Sequence, residues 1–179
     1  MLHKTERQKR VKTPEQALAS LMRLCARGER SSGDALRLMR GWGVPPEDAR
    51  KVLARLVAER FIDDGRYAAA FVRDKMNLSG WGAGKIRTAL RAKGVAAEIV
   101  DEALRQMAGT DMCGRLQPLM ERRLRTLKYS SPYDARTKLI RFALSRGYDY
   151  ATAKSCADAV VPADGSGDDD GVFGGSFWE

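Results

Sequence analysis

Apolar residues return along this chain every three or four positions, the spacing of an amphipathic helix. The first such stripe is Leu18, Leu21, Met22 and Cys25. It is preceded by Thr13, Pro14 and Gln16, a capping hydroxyl, a proline at the first helical position and an amide three residues after the cap. A helix is predicted from there to Arg27-Gly28, where glycine can take positive φ. Ser31 or Ser32 should cap a second helix running through Arg40, and Gly41-Trp42-Gly43 should turn the chain. Pro45-Pro46-Glu47-Asp48 then opens a third helix carrying Ala49, Val52, Leu53, Leu56 and Val57 on its apolar side.

This pattern returns. With Gly43, Gly94 and Gly147 taken as equivalent turns, the spacings are 51 and 53 residues. The apolar positions of the third helix then superpose in five columns. They are Ala49, Val100 and Ala153; Val52, Ala103 and Cys156; Leu53, Leu104 and Ala157; Leu56, Met107 and Val160; and Val57, Ala108 and Val161. Two columns of the preceding helix follow, Ala35 with Ile86 and Leu139, and Met39 with Leu90 and Ala143. The third copy opens with Leu116, Leu119, Met120, Leu124 and Leu127, followed by a turn and cap at Ser130-Ser131-Pro132-Tyr133-Asp134. The predicted fold class is therefore all-α, three tandem three-helix repeats at 13–60, 61–109 and 110–162. A unit of about 50 residues buries little core alone, so the copies should stack into an elongated, curved array.

Within the second copy, Tyr67, Ala70 and Phe71 share one helix face, and Asp63 or Asp64 stands where a carboxylate can accept the free N–H groups of the first turn. Phe61-Ile62-Asp63-Asp64, Arg66-Tyr67-Ala68, Phe71-Val72-Arg73, Gly82, Gly84, Lys85-Ile86-Arg87, Leu90 and Lys93-Gly94-Val95 form an ordered string. By these residues the stretch resembles the core of the RecX family, bacterial regulators of the RecA recombinase. The resemblance is densest over the middle of the chain, and the tail after Pro162 departs from the pattern. It implies a protein that binds the RecA filament on single-stranded DNA. There it would modulate, and usually restrain, strand exchange, ATP hydrolysis and coprotease activity in DNA repair, homologous recombination and the SOS response.

Charge adds a surface to this picture. The chain of 179 residues has a formal net charge of +9 and a pI near 9.7, which favours a polyanionic partner. Residues 163–179 hold five acidic groups and no Lys or Arg, so the remainder carries +14. Residues 1–12 read as a disordered basic arm and 163–179 as a disordered acidic tail. Basic residues recur on the second helix of all three copies: Arg37 and Arg40; Lys85, Arg87, Arg91 and Lys93; Arg136, Lys138 and Arg141. These nine are the candidate contacts to filament and DNA, on a concave or lateral face, and Arg122, Arg123, Arg125 and Lys128 add to the third copy. Exposed basic faces are often only solvated, and the recurrence is what favours function here.

Other chemistry finds little support. Gly80-Trp81-Gly82-Ala83-Gly84-Lys85 lacks the glycine, the Ser or Thr and the preceding strand of a phosphate loop. A helix-to-helix turn is the simpler reading, with N–H groups and Lys85 still open to a phosphate or carboxylate. Trp42 and Trp81 each lie in a Gly-Trp-Gly turn, where a ring can be buried at a repeat junction or stack on a partner. His3, the sole histidine, lies in the arm, so neither a histidine base nor a metal cluster is expected, nor any cofactor or enzymatic activity. Cys25, Cys113 and Cys156 are too far apart in sequence for a disulfide framework or zinc spacing, which suggests a reducing compartment. With neither an apolar leader nor a spanning run, a cytoplasmic monomer is expected. Two other functions stay open: a helical regulator acting directly on duplex DNA, and an adaptor for an acidic protein.

Overall fold

The computed structural model describes residues 11–105 and 111–161. Most of the expected basic arm, all of the acidic tail, and Met107 and Ala108 lie outside those residues. Among the described residues there are nine helices and no strand. They are α1 Pro14–Cys25, α2 Ser32–Gly41, α3 Pro46–Ala58, α4 Asp64–Ser79, α5 Ala83–Ala92, α6 Ala97–Arg105, α7 Met112–Leu124, α8 Pro132–Ser145 and α9 Tyr150–Val160. The chain divides into two compact units. One holds α1–α6 and takes in the tripeptide Arg146–Tyr148; the other holds α7–α9.

Local chemistry sets the helix starts. Thr13 Oγ1 accepts from Gln16 N–H while Gln16 Oε1 accepts from Thr13 N–H, a complete capping box. Asp63 caps α4, Ser31 caps α2 and Asp149 caps α9. Each satisfies a backbone donor that the helix cannot satisfy itself.

In each three-helix set the third helix packs on both others: α3 on α1 and α2, α6 on α4 and α5, α9 on α7 and α8. The two second-helix columns are wholly buried, Ala35, Ile86 and Leu139 in one and Met39, Leu90 and Ala143 in the other. The third-helix columns of Ala49 and Val52 are buried in all three sets. The column predicted at Val57 does not hold: Val57 is 47% exposed and Val161 half-buried. Val57 falls in the last turn of α3, one residue past buried Leu56, and has swung off the core face.

Gly43, Gly94 and Gly147 all have positive φ, +75°, +75° and +87°. Gly43 and Gly94 each sit one past the helix cap. Val44 N–H reaches back to Met39 O, and Val95 N–H to Leu90 O, with the preceding glycine N–H on Arg40 O and Arg91 O. This double bond pattern closes a helix through a left-handed residue, and the next side chain tucks under it. Val44, Val95 and Tyr148 are all buried.

Candidate interaction surface

Within the first unit, turns and helix starts distant in sequence are tied together by hydrogen bonds to main chain. Ser31 Oγ, besides capping α2, donates to Lys93 O at 2.8 Å. Lys93 Nζ lies 3.3 Å from Asp34 Oδ2, and Ser32 N–H donates to Asp64 Oδ1 at 2.8 Å. Asp63 and Asp64, adjacent in sequence, therefore do different work: the first caps its own helix and the second holds the start of α2.

The same device recurs further along in the first unit. Gly82 N–H donates to Arg146 O at 2.8 Å and Gly84 N–H to Gly147 O at 2.9 Å. A β-carbon on Gly82 would stand 2.5 Å from Gly147 O. The glycines of this turn are thus required for close backbone approach. The sequence left their N–H groups open to a phosphate or carboxylate, and that expectation is corrected: Gly82 and Gly84 already donate to peptide carbonyls.

The two tryptophans occupy opposite helix ends, Trp42 after α2 and Trp81 before α5. Both rings are half-buried. Lys12 Nζ lies 3.6 Å from the Trp42 ring centre and 2.9 Å from Ser20 Oγ, while Lys12 N–H donates to Trp42 O. Val11 packs on Gly43. The last two residues of the expected disordered arm are therefore anchored, because a cation over an indole and a backbone bond hold them. Trp81 has Phe71 edge-on and carries Lys75 and Lys85 at 5.1 and 4.8 Å.

The nine candidate cations separate into four groups. Lys93, Arg136 and Lys138 are half-buried and tied to the fold. Lys93 binds Asp34, Arg136 donates to Val161 O, and Lys138 donates to Lys128 O and pairs with Asp134 at 2.7 Å. The bond from Lys138 is the main reason the Asp134 carboxyl titrates below its ordinary range. Half-buried Lys85 sits over Trp81. Arg37 pairs with Asp34 and Arg87 with Asp101 at 3.2 Å. Both arginines are about half exposed, so water competes with these pairs and they are weak. Arg40, Arg91 and Arg141 are exposed, and among the described residues none of the three joins an ion pair. Arg40 and Arg91 are equivalent, each in the last turn of its set's second helix. Arg141 falls in the column of Arg37.

One pairing was missed altogether. Cys113 and Cys156, 43 residues apart, form a disulfide with Cα atoms 5.9 Å apart. Packing of α7 against α9 brings them together, which sequence spacing cannot reveal. Cys25 is the remaining thiol, and burial pushes its pKa up, leaving little thiolate at neutral pH. Among the described residues no helix is long and apolar enough to cross a membrane.

Comparison with known proteins places this architecture. Residues 63–104 match the second three-helix domain of RecX and residues 111–156 the third. The regulatory protein RecX of Chlorobaculum tepidum is 30% identical over 145 residues, covering 81% of this chain and 88% of that protein. Its counterpart in Pseudomonas savastanoi pv. phaseolicola is 33% identical over 138 residues, covering 76% and 86%. RecX of Limosilactobacillus reuteri is 27% identical over 133 residues, and the chain spans only half of that protein's length. The crystal structure of RecX from Lactobacillus salivarius has the same fold, with a TM-score of 0.73 at 18% identity over 82% of this chain and 96% of that one.

Proposed function

The chain belongs to the RecX family, and from that premise we propose that it binds the RecA nucleoprotein filament and restrains its recombinase, ATPase and coprotease activity. The observation that carries the assignment to particular residues is the equivalence of Arg40 and Arg91. They occupy one position in successive sets, exposed and outside the ion pairs that engage their neighbours. A pair of unspent guanidinium groups at a repeated position suits a partner that is itself repetitive and anionic, because each can form a bidentate bond to a carboxylate or phosphate.

Arg141 extends this set of open cations into the second unit. Arg37 and Arg87 exchange their weak internal carboxylates for the partner's. Lys93, Arg136 and Lys138 act at one remove, by holding the turns and helix ends from which the others project. Restraint follows from occupancy, since a protein lying across neighbouring subunits denies them to substrate strands and impedes filament growth. Nothing in this role calls for a cofactor or a chemical step by the chain itself.

The test is ATP hydrolysis by a preformed RecA filament on single-stranded DNA as the protein is titrated in. Hydrolysis should fall at substoichiometric protein, and Arg40→Glu with Arg91→Glu should relieve the effect while helical circular dichroism is unchanged. No loss of hydrolysis at excess protein would remove the assignment.

A further inference from the structure

The second unit carries a run of open cations that lies apart from the second-helix columns. Arg122 and Arg123 end α7, and Arg125 and Lys128 follow in the turn to α8. Arg122, Arg123, Arg125 and Lys128 are all exposed, and among the described residues none is in an ion pair. The acidic groups alongside are already occupied: Asp134 by Lys138 and by Ser130 N–H and Oγ, Glu121 by Gln117 Nε2.

Two tyrosines stand beside these cations, Tyr129 in the turn itself and Tyr133 in the first turn of α8. Tyr129 is 50% exposed and Tyr133 75%, and among the described residues neither ring is met by another ring or by a cation. Tyrosine costs little to bury, since its hydroxyl needs only one partner, so two rings left in water four residues apart are a surface feature that folding does not require.

The backbone around them is braced. Thr126 and Leu127 N–H groups bond back to Arg123 and Leu124 carbonyls. Lys138 Nζ holds Lys128 O at 2.9 Å from across the turn, Ser130 N–H is held by Asp134 Oδ2 at 3.1 Å, and Ser131 Oγ accepts Asp134 N–H. The rings and cations therefore project from a segment whose ordering has been met by folding, which lowers what a ligand must supply.

We propose that this turn is a binding site for single-stranded nucleic acid, with Tyr129 and Tyr133 stacking on unpaired bases and Arg122, Arg123, Arg125 and Lys128 neutralising the phosphates between them. A duplex hides its base faces and would use only the cations, whereas an unpaired strand uses both. The site goes beyond filament binding, because it requires no recombinase.

Binding to a labelled oligothymidylate, followed by fluorescence anisotropy over a range of salt without RecA, tests it. Tyr129→Ala with Tyr133→Ala should weaken binding about tenfold or more without changing the slope of affinity against salt. Tyr129→Phe with Tyr133→Phe keeps the rings and should bind as the parent does. Arg122→Gln with Arg125→Gln should lower the slope by roughly 0.7 for each phosphate left without its cation. Parental affinity in the alanine pair, an equal loss on duplex of the same length, or no binding at low salt would each overturn the proposal. Suppression of RecA ATP hydrolysis, measured on the same variants, reports on filament binding separately: a protein that suppresses hydrolysis yet ignores free oligothymidylate refutes this site and leaves the filament assignment standing.

Discussion

Gly33 and Gly94 meet so closely that a β-carbon on Gly33 would stand 2.7 Å from the Gly94 Cα and closer still to the Lys93 carbonyl oxygen. The first residues of α2 and the left-handed turn after α5 are thereby interlocked through main chain. Side chains that could bend out of the way are absent from the contact. The same relation joins Gly82 to the Gly147 turn.

Gly33→Ala should therefore cost about 1–3 kcal/mol, because the backbone must shift and with it the bond from Ser31 Oγ to Lys93 O. Gly28→Ala, where a β-carbon meets nothing within 4 Å, serves as the control and should change stability by less than about 1 kcal/mol. Urea unfolding midpoints decide it, and a Gly33→Ala protein as stable as the parent would show that the junction yields freely.

Arg91 and Lys93 lie two residues apart and should behave oppositely. Lys93→Met removes one of the two cationic partners of Asp34, whose side chain is 10% exposed and which keeps Arg37, and should lower stability by about 1 kcal/mol with little change in binding to the RecA filament. Arg91→Glu should leave the unfolding midpoint in place and weaken filament binding. Paired melting and co-sedimentation measurements separate the two, and equal losses of binding would contradict the division of roles.

The disulfide between Cys113 and Cys156 leaves one titratable thiol, Cys25, in the denatured unreduced protein, against three after reduction. Closing that loop should contribute up to about 4 kcal/mol by restricting the unfolded chain. Cys113→Ser is the variant of choice because Cys113 is half-buried whereas Cys156 is wholly buried. Three free thiols before reduction would rule the bond out, as would a Cys113→Ser protein no less stable than the unreduced parent.

Acid should loosen the helix starts of the second unit. The Asp149 carboxylate titrates below its ordinary value of 3.8 because it accepts the Thr152 N–H and hydroxyl, and Asp134 is lowered by Lys138 and Ser130. A carboxylate whose pKa is depressed by folding adds stability above its unfolded value. That stability fades as pH falls through 3.8 and is gone below the folded value. Asp149→Asn keeps a cap without a charge, so its urea midpoint should decline less steeply over that window. A decline as steep as the parent's would exclude Asp149 as a contributor.

The caps were legible because they are local. Thr13 with Gln16, and Asp63 with Arg66, are each three residues apart, and their chemistry is complete within one helical turn. The buried columns at Ala35, Met39, Ala49 and Val52 were legible because a periodic stripe must face a core wherever that core lies. Val57 departs from its column at a helix end, where the periodic constraint weakens and a side chain can turn outward.

By itself, then, the order of residues determined helix, turn and repeat, since these depend on neighbours three or four places away and on glycines able to take positive φ. It also carried the family string at Phe61–Val95. Which charges are spent was settled only by tertiary structure: Lys93 meets Asp34 across 59 residues and Cys113 meets Cys156 across 43. Arg40 and Arg91 stay in water. Coulomb attraction and hydrogen bonding act over a few ångströms of space, and no pattern along the chain reports which distant groups the packing of apolar stripes will bring within that reach.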